Sequence, residues 1–258
     1  MKCHRFGFLG GFVLVGCCSG PCNSNPISTT KEGSVATVSE SRVANQGTPI
    51  PPKTLSMPKT VQVGPGVFLE VDGDIRTVVV SAKVVRREGF LELLLCREKT
   101  KEHEAILAAP VDARDVHSAL LSAGLKPGSP VQFLPEYKAA TGNRLEIRLR
   151  FKDSLGQNHE VLAKDWIKKT MVDQALEGDW VFSGSRLVAN SLDPKAPPYF
   201  LANDGDLISI SNFESALMDL AIKVSSANGE LSFEPWEKRI PEIGTPVAVL
   251  IRSAKNPH

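Results

Sequence analysis

Arg144-Leu145-Glu146-Ile147-Arg148-Leu149-Arg150-Phe151 alternates charged and apolar residues without a break. Successive side chains of an extended strand point to opposite faces, so Leu145, Ile147, Leu149 and Phe151 share one face and the charges take the other. A strand of this kind needs a core on one side and water on the other, which restricts the chain to a sheet with one covered face. Leu155-Gly156-Gln157-Asn158 supplies a turn, and Glu160 to Ile167 reads as the hairpin partner. Val67 to Val71, the turn Asp72-Gly73-Asp74 and the β-branched run Thr77 to Val85 predict a second hairpin. Phe90 to Cys96 follows another turn and is apolar on both faces, as a central strand antiparallel to that hairpin would be. Further strands are expected at Trp180–Ser183, Tyr199–Ala202, Leu207–Ser211 and Val247–Arg252.

One helix stands out among these strands. Asp112 is an N-cap, Val111 and Val116 are placed as a hydrophobic staple, and Val116, Ala119, Leu120 and Ala123 fall on one helical face. Gly124 stops it, followed by Lys126-Pro127-Gly128. Glu102 to Ala109 fits a strand or a helix, and Pro110 closes it either way. The expected class is α+β, a mostly antiparallel sheet with one or two helices.

The N-terminus carries an address. A basic start (Lys2, His4, Arg5) precedes ten nearly uninterrupted apolar residues, Phe6 to Val15, which run into Leu14-Val15-Gly16-Cys17. These are the parts of an export signal, and the Cys after Leu-Val-Gly resembles the lipobox of bacterial lipoproteins. Spanning a bilayer takes about 20 apolar residues, so this run is too short for a membrane helix. The expected organisation is a signal peptide over residues 1–16, a linker lipidated at Cys17 over 17–57, and one domain over 58–254. The linker is Ser-, Thr-, Asn-, Pro- and Gly-rich with no apolar periodicity, and about 40 flexible residues reach roughly 30 to 40 Å. The chain is therefore expected to be exported and lipid-anchored to a bacterial cell-envelope membrane.

A net charge of +1 over 258 residues leaves no field to steer nucleic acid, which is excluded as a partner class. Five cysteines do not make a disulfide framework, because Cys3 lies in the expected signal, Cys17 would carry lipid and Cys18 and Cys22 sit in the expected linker. Only Cys96 belongs to the domain.

Gly89 to Cys96, Thr100 to Leu107, Asp179 to Ser185 and Asp204 to Ser209 form separated blocks that together resemble the YdjY-domain family of bacterial exported proteins. The resemblance spans roughly Val61 to Leu250. It implies location and fold kinship and carries no catalytic residues with it, since the family has no established activity. Some members are described as ferredoxin-like; one domain cysteine cannot ligate an iron–sulfur cluster, so no cofactor is expected.

Cys96, Glu102 and His103 form the densest group of chemically capable residues, with Glu104 beside them. A Cys–His pair can make a thiolate nucleophile or half a metal site, and these three residues are the candidates for an alternative thiol, redox or metal-dependent activity. Against it, simple alternation puts Cys96 on the same face as Leu94, as a buried structural cysteine. His103-Glu104-Ala105-Ile106-Leu107 lacks the second histidine of the zinc-protease helix, and no metal site is expected. Ser183-Gly184-Ser185 lacks the flanking glycines of a nucleophile elbow and reads as a tight turn. His117 and His159 are expected in solvent. Asp72-Gly73-Asp74 and Asn203-Asp204-Gly205-Asp206 are too short for a calcium loop, and no phosphate-binding glycine motif occurs. Tyr199 and Trp236 sit beside prolines in expected loops and are the candidate binding aromatics. The expected role is a cell-envelope binding or accessory protein without catalysis of its own, attached through its lipid and meeting an envelope protein or a small molecule.

Overall fold

The computed structural model describes residues 58–170, 172–189, 193, 195–223 and 233–254. The expected signal peptide, the expected linker and Cys17 lie outside the described residues. Fifteen strands occur among those described: β1 (Lys59–Gly64), β2 (Val67–Asp72), β3 (Ile75–Val84), β4 (Leu93–Arg97), β5 (Ala105–Ala109), β6 (Arg144–Lys152), β7 (Asn158–Leu162) and β8 (Ile167–Lys169). β9 (Trp180–Val181), β10 (Leu187–Val188), β11 (Tyr199–Phe200), β12 (Asp206–Ser209), β13 (Asp219–Leu220), β14 (Phe233–Pro235) and β15 (Pro246–Ser253) complete the set. The α-helix α1 (Ala113–Ser122) lies between β5 and β6.

The main sheet runs β12-β4-β5-β3-β15-β6-β9-β13. β3 and β6 are long enough to hold two neighbours along one edge: β3 pairs β2 through its first half and β5 through Lys83–Val84, and β6 pairs β9 at Arg144–Leu145 and β7 from Arg148 on. The two ends of the path meet. Ile208 bridges Met218 in parallel, Met218 N donates to Leu207 O at 3.1 Å, and Ser209 N donates to Met218 O at 2.9 Å. The sheet thus closes on itself and leaves the ends of that path no open edge.

β6 keeps the alternation of its sequence: Leu145, Ile147 and Leu149 are buried and Arg148 and Arg150 turn outward to Glu160 at 2.8 and 3.3 Å. The inward residues join Trp166, Trp180, Phe182 and Val249 in one core. Each such side chain contributes about 1.5–3 kcal/mol on burial, far more than the exposed ion pairs opposite. α1 places Val116, Ala119 and Leu120 on the core and contacts β1, β2 and β3. The Asp112 carboxylate accepts the Arg114 N–H at 2.8 Å. At the other end Leu125 N donates to Leu120 O and Gly124 N to Leu121 O, with Gly124 at φ +86°.

Two expectations are corrected. The domain is mostly β rather than α+β, and its sheet is mixed: its strands pair antiparallel except β4 and β5, which run parallel. Within Glu102 to Ala109 the residues Ala105–Ala109 form strand β5, every residue of which is buried, and the stretch is not a second helix. β4 and β5 are parallel, with Leu93 opposite Ala105 and Cys96 opposite Ala108. Parallel neighbours ordinarily need a crossover of a dozen or more residues. Here residues 98–104 return the chain through tight turns, held by Lys99 N to Glu102 Oε1 at 2.8 Å and Glu104 N to Lys101 O at 3.1 Å, with Lys99 at φ +64°.

Candidate functional site

Cys96, Glu102 and His103 are close in sequence but do not converge. In the β4–β12 pairing Cys96 faces Asp206, Leu95 faces Ile208 and Leu93 faces Ser209, so each strand carries one extra residue. The bulge breaks alternation, and Cys96 packs with Leu93, Ala105 and Ala108 while Leu94 joins the main core. The expected sharing of a face with Leu94 is therefore wrong. Cys96 is fully buried, and burial pushes its thiol up to about 12. His103 projects into solvent with its side chain 74% exposed, 3.7 Å from Glu104. Glu102 caps the crossover turn through the Lys99 N–H. A thiol in this setting is not a thiolate at neutral pH. Peptide mapping after iodoacetamide treatment at pH 8 is expected to find Cys96 modified only in denatured protein; full labelling of the native fold would reopen thiol chemistry.

A different group does come together. A cleft of about 320 Å³ is formed by Arg114, His117 and Ser118 of α1, by Gly184, Ser185 and Leu187, and by Phe200 of β11. His117 is half-buried, contrary to the expected solvent exposure, because Phe182 and Phe200 press their rings edge-on to it at 5.1 and 5.7 Å. Burial among these rings lowers its pKa, so the imidazole is neutral at pH 7. The serines of the presumed turn hold the wall in place: Ser183 Oγ donates to Ala216 O or Leu217 O, and Ser185 Oγ donates to Ser215 O at 2.6 Å and accepts from Ala202 N at 3.0 Å. Residues 182–186 form an irregular link between β9 and β10, with Gly184 at φ +92° and Ser185 at φ +58°, rather than the expected tight turn, and this link forms one side of a cleft that reasoning along the sequence did not reveal. A usable signal was present in the helix: His117 borders the apolar face one residue after Val116, where a polar residue is half covered.

The ladder that carries this wall continues into a buried polar seam. Val181 pairs with Asp219 and Trp180 with Leu220, while Trp180 Nε1 donates to Ser209 O at 2.8 Å. Asp219 is fully buried; its Oδ1 accepts from Leu220 N at 2.8 Å and from Asn212 Nδ2 at 3.3 Å, and its Oδ2 has no hydrogen-bond partner among the described residues. Tyr137 OH donates to Asn212 Oδ1 at 3.4 Å. Burial raises the Asp219 pKa to about 7.

The candidate aromatics do not share a site. Tyr199 is exposed beside Phe200 at the edge of the cleft, with its hydroxyl donating to Asp204 Oδ1 at 2.8 Å. Trp236 lines a separate polar hollow with Arg87, Lys168 and Glu234, and the Arg239 guanidinium covers its ring at 3.3 Å. His159 is not free in solvent either: it stacks on Phe151 at 5.2 Å and meets Asp153 Oδ2 at 2.8 Å. A larger groove of about 500 Å³ at the adjoining ends of β3, β15 and β6 is mostly apolar and brings only Arg150 and Lys152 as charged groups, of which Arg150 already pairs with Glu160. Among the described residues, the His117 cleft combines apolar walls with an uncommitted, half-buried titratable group. Among the described residues no group of three or more His, Cys, Asp or Glu is arranged to hold a metal ion, and no helix is long and apolar enough to cross a membrane.

No curated protein and no solved structure matches the chain. The family model of the YdjY domain matches residues 69–252, from β2 to the end of β15, and by that match over most of its length the chain belongs to the YdjY domain family.

Proposed function

We propose that this protein is a lipid-anchored component of a bacterial cell envelope that works as a binding or accessory module, without catalysis of its own, through the cleft between α1 and the β10–β11 hairpin. The cleft carries the reading: it has apolar walls, a single half-buried imidazole and a volume in the range of small-molecule sites. The address rests on the basic start, the apolar run and Leu14-Val15-Gly16-Cys17. The alternative centred on Cys96 and His103 is disfavoured by the deep burial of the first and the solvent exposure of the second. Several acyl chains on one terminal cysteine, each contributing about 0.8 kcal/mol per buried CH2, make attachment lasting. In cells fed a radiolabelled fatty acid, the wild type is expected to be labelled and to sediment with membranes, and Cys17→Ser to lose both. Unmodified native protein beginning at Met1 would overturn the anchoring.

A further inference from the structure

We infer that the His117 cleft takes an uncharged, mostly apolar ligand that carries a hydroxyl group; this rests on the reading of the cleft as the binding site. The charges around the cleft are already committed. Arg114 grips Asp112 through Nε at 3.0 Å and Nη2 at 2.6 Å, and Arg186 pairs with Glu214 at 3.1 Å. A ligand with a net charge would enter without a counter-charge and lose its hydration, a cost that an apolar wall does not offset. The protons of the serines are committed too. Ser118 Oγ donates to Arg114 O at 2.8 Å and Ser185 Oγ to Ser215 O. The imidazole of His117 makes no hydrogen bond with a described residue and meets its neighbours only through ring contacts. Its neutral form offers one N–H and one lone pair. A hydroxyl can donate to the bare nitrogen or accept from the N–H, whichever faces the ligand, whereas a carboxylate only accepts, an ammonium only donates, and each brings an unpaired charge. Phe200 and Leu187, the latter 66% exposed, supply the apolar contact for the rest of the ligand.

Four singly substituted benzenes separate these terms: phenol, toluene, benzoate and benzylamine, titrated into the full chain at pH 7 while the His117 ring resonances are followed by NMR, assigned with His117→Gln. Phenol is expected to shift His117 saturably. Toluene should bind about fivefold more weakly for want of one hydrogen bond, and the two charged probes about tenfold or more weakly. Leu187→Ser, at an exposed position, should weaken phenol about threefold without unfolding the domain. Toluene, benzoate or benzylamine binding as tightly as phenol would overturn the ligand class and leave the cleft as the binding site. Four probes that all leave His117 unmoved would overturn the cleft itself, and the ligand class with it.

Discussion

Gly142→Ala is expected to destabilise the domain by roughly 3–5 kcal/mol, the sum of a strained backbone and two lost cross-chain hydrogen bonds. Gly142 has φ +137°, where an L side chain is strained, and an added Cβ would lie 2.0 Å from Phe182 O and 3.0 Å from Gly128 N. Both obstacles are backbone atoms, so no rotamer change relieves them. The chain must part at this crossing, which Gly128 N to Phe182 O at 2.9 Å and Phe182 N to Asn143 O at 3.0 Å now hold together. For a domain of this size the loss corresponds to a fall in Tm of roughly 10 °C. Gly156→Ala is the control, since Gly156 shares a positive φ of +77° but has nothing within 4 Å of its Cβ, and it should cost only about 1 kcal/mol. Phe182 is also the ring against His117, so Gly142→Ala should move the His117 resonances as well. Equal Tm values for the two variants in thermal denaturation would refute the close crossing.

Local chemistry was legible where a short segment determines its own outcome. The cap at Asp112, the stop at Gly124 and the face of Leu145, Ile147 and Leu149 all follow from spacing within a few residues, and the structure has each of them; Val111 and Val116, read as a staple, are both buried in the main core. What escaped depends on distant partners. The parallel β4–β5 pair arises because turns over residues 98–104 reverse the chain in less length than such a crossover usually takes. The face of Cys96 was misjudged because a bulge opposite β12 shifts it, and β12 lies more than a hundred residues further along. The cleft was hidden for the same reason: Phe182 and Phe200 reach His117 from segments far along the chain, and nothing near His117 in sequence announces them. A two-residue strand such as β13 carries too little pattern to be read alone, yet its pairing with β9 is what places Asp219 in the seam.

That seam makes stability depend on pH in an unusual direction. An ordinary carboxylate is held by partners that favour its charge; Asp219 has its pKa raised from 3.8 to about 7 by burial, and its Oδ2 has no hydrogen-bond partner among the described residues. Between about pH 4 and pH 7 the folded chain keeps a proton that the unfolded chain has released, so the Asp219 contribution to stability falls as pH rises and levels off above 7. The pKa difference corresponds to a term on the order of 4 kcal/mol across that window. Asp112, Asp153 and Glu160 act oppositely, since hydrogen bonds from Arg114, His159 and Arg148 lower their pKa values and their stabilisation is lost toward acid. The whole-protein profile mixes both kinds of group, and a single substitution separates them. Asp219→Asn resembles the protonated acid in shape, keeps an oxygen for the Leu220 N–H and cannot ionise. Its Tm is expected to lie near or below that of the wild type at pH 4.5 and to exceed it by roughly 10 °C at pH 8. A Tm difference that stays constant from pH 4.5 to pH 8 would mean that Asp219 is charged, and paired, in the folded protein. Since Val181 opposite Asp219 adjoins Phe182, which packs on His117, the same titration reaches the cleft: the His117 resonances of the wild type should show a second inflection near pH 7 that Asp219→Asn removes.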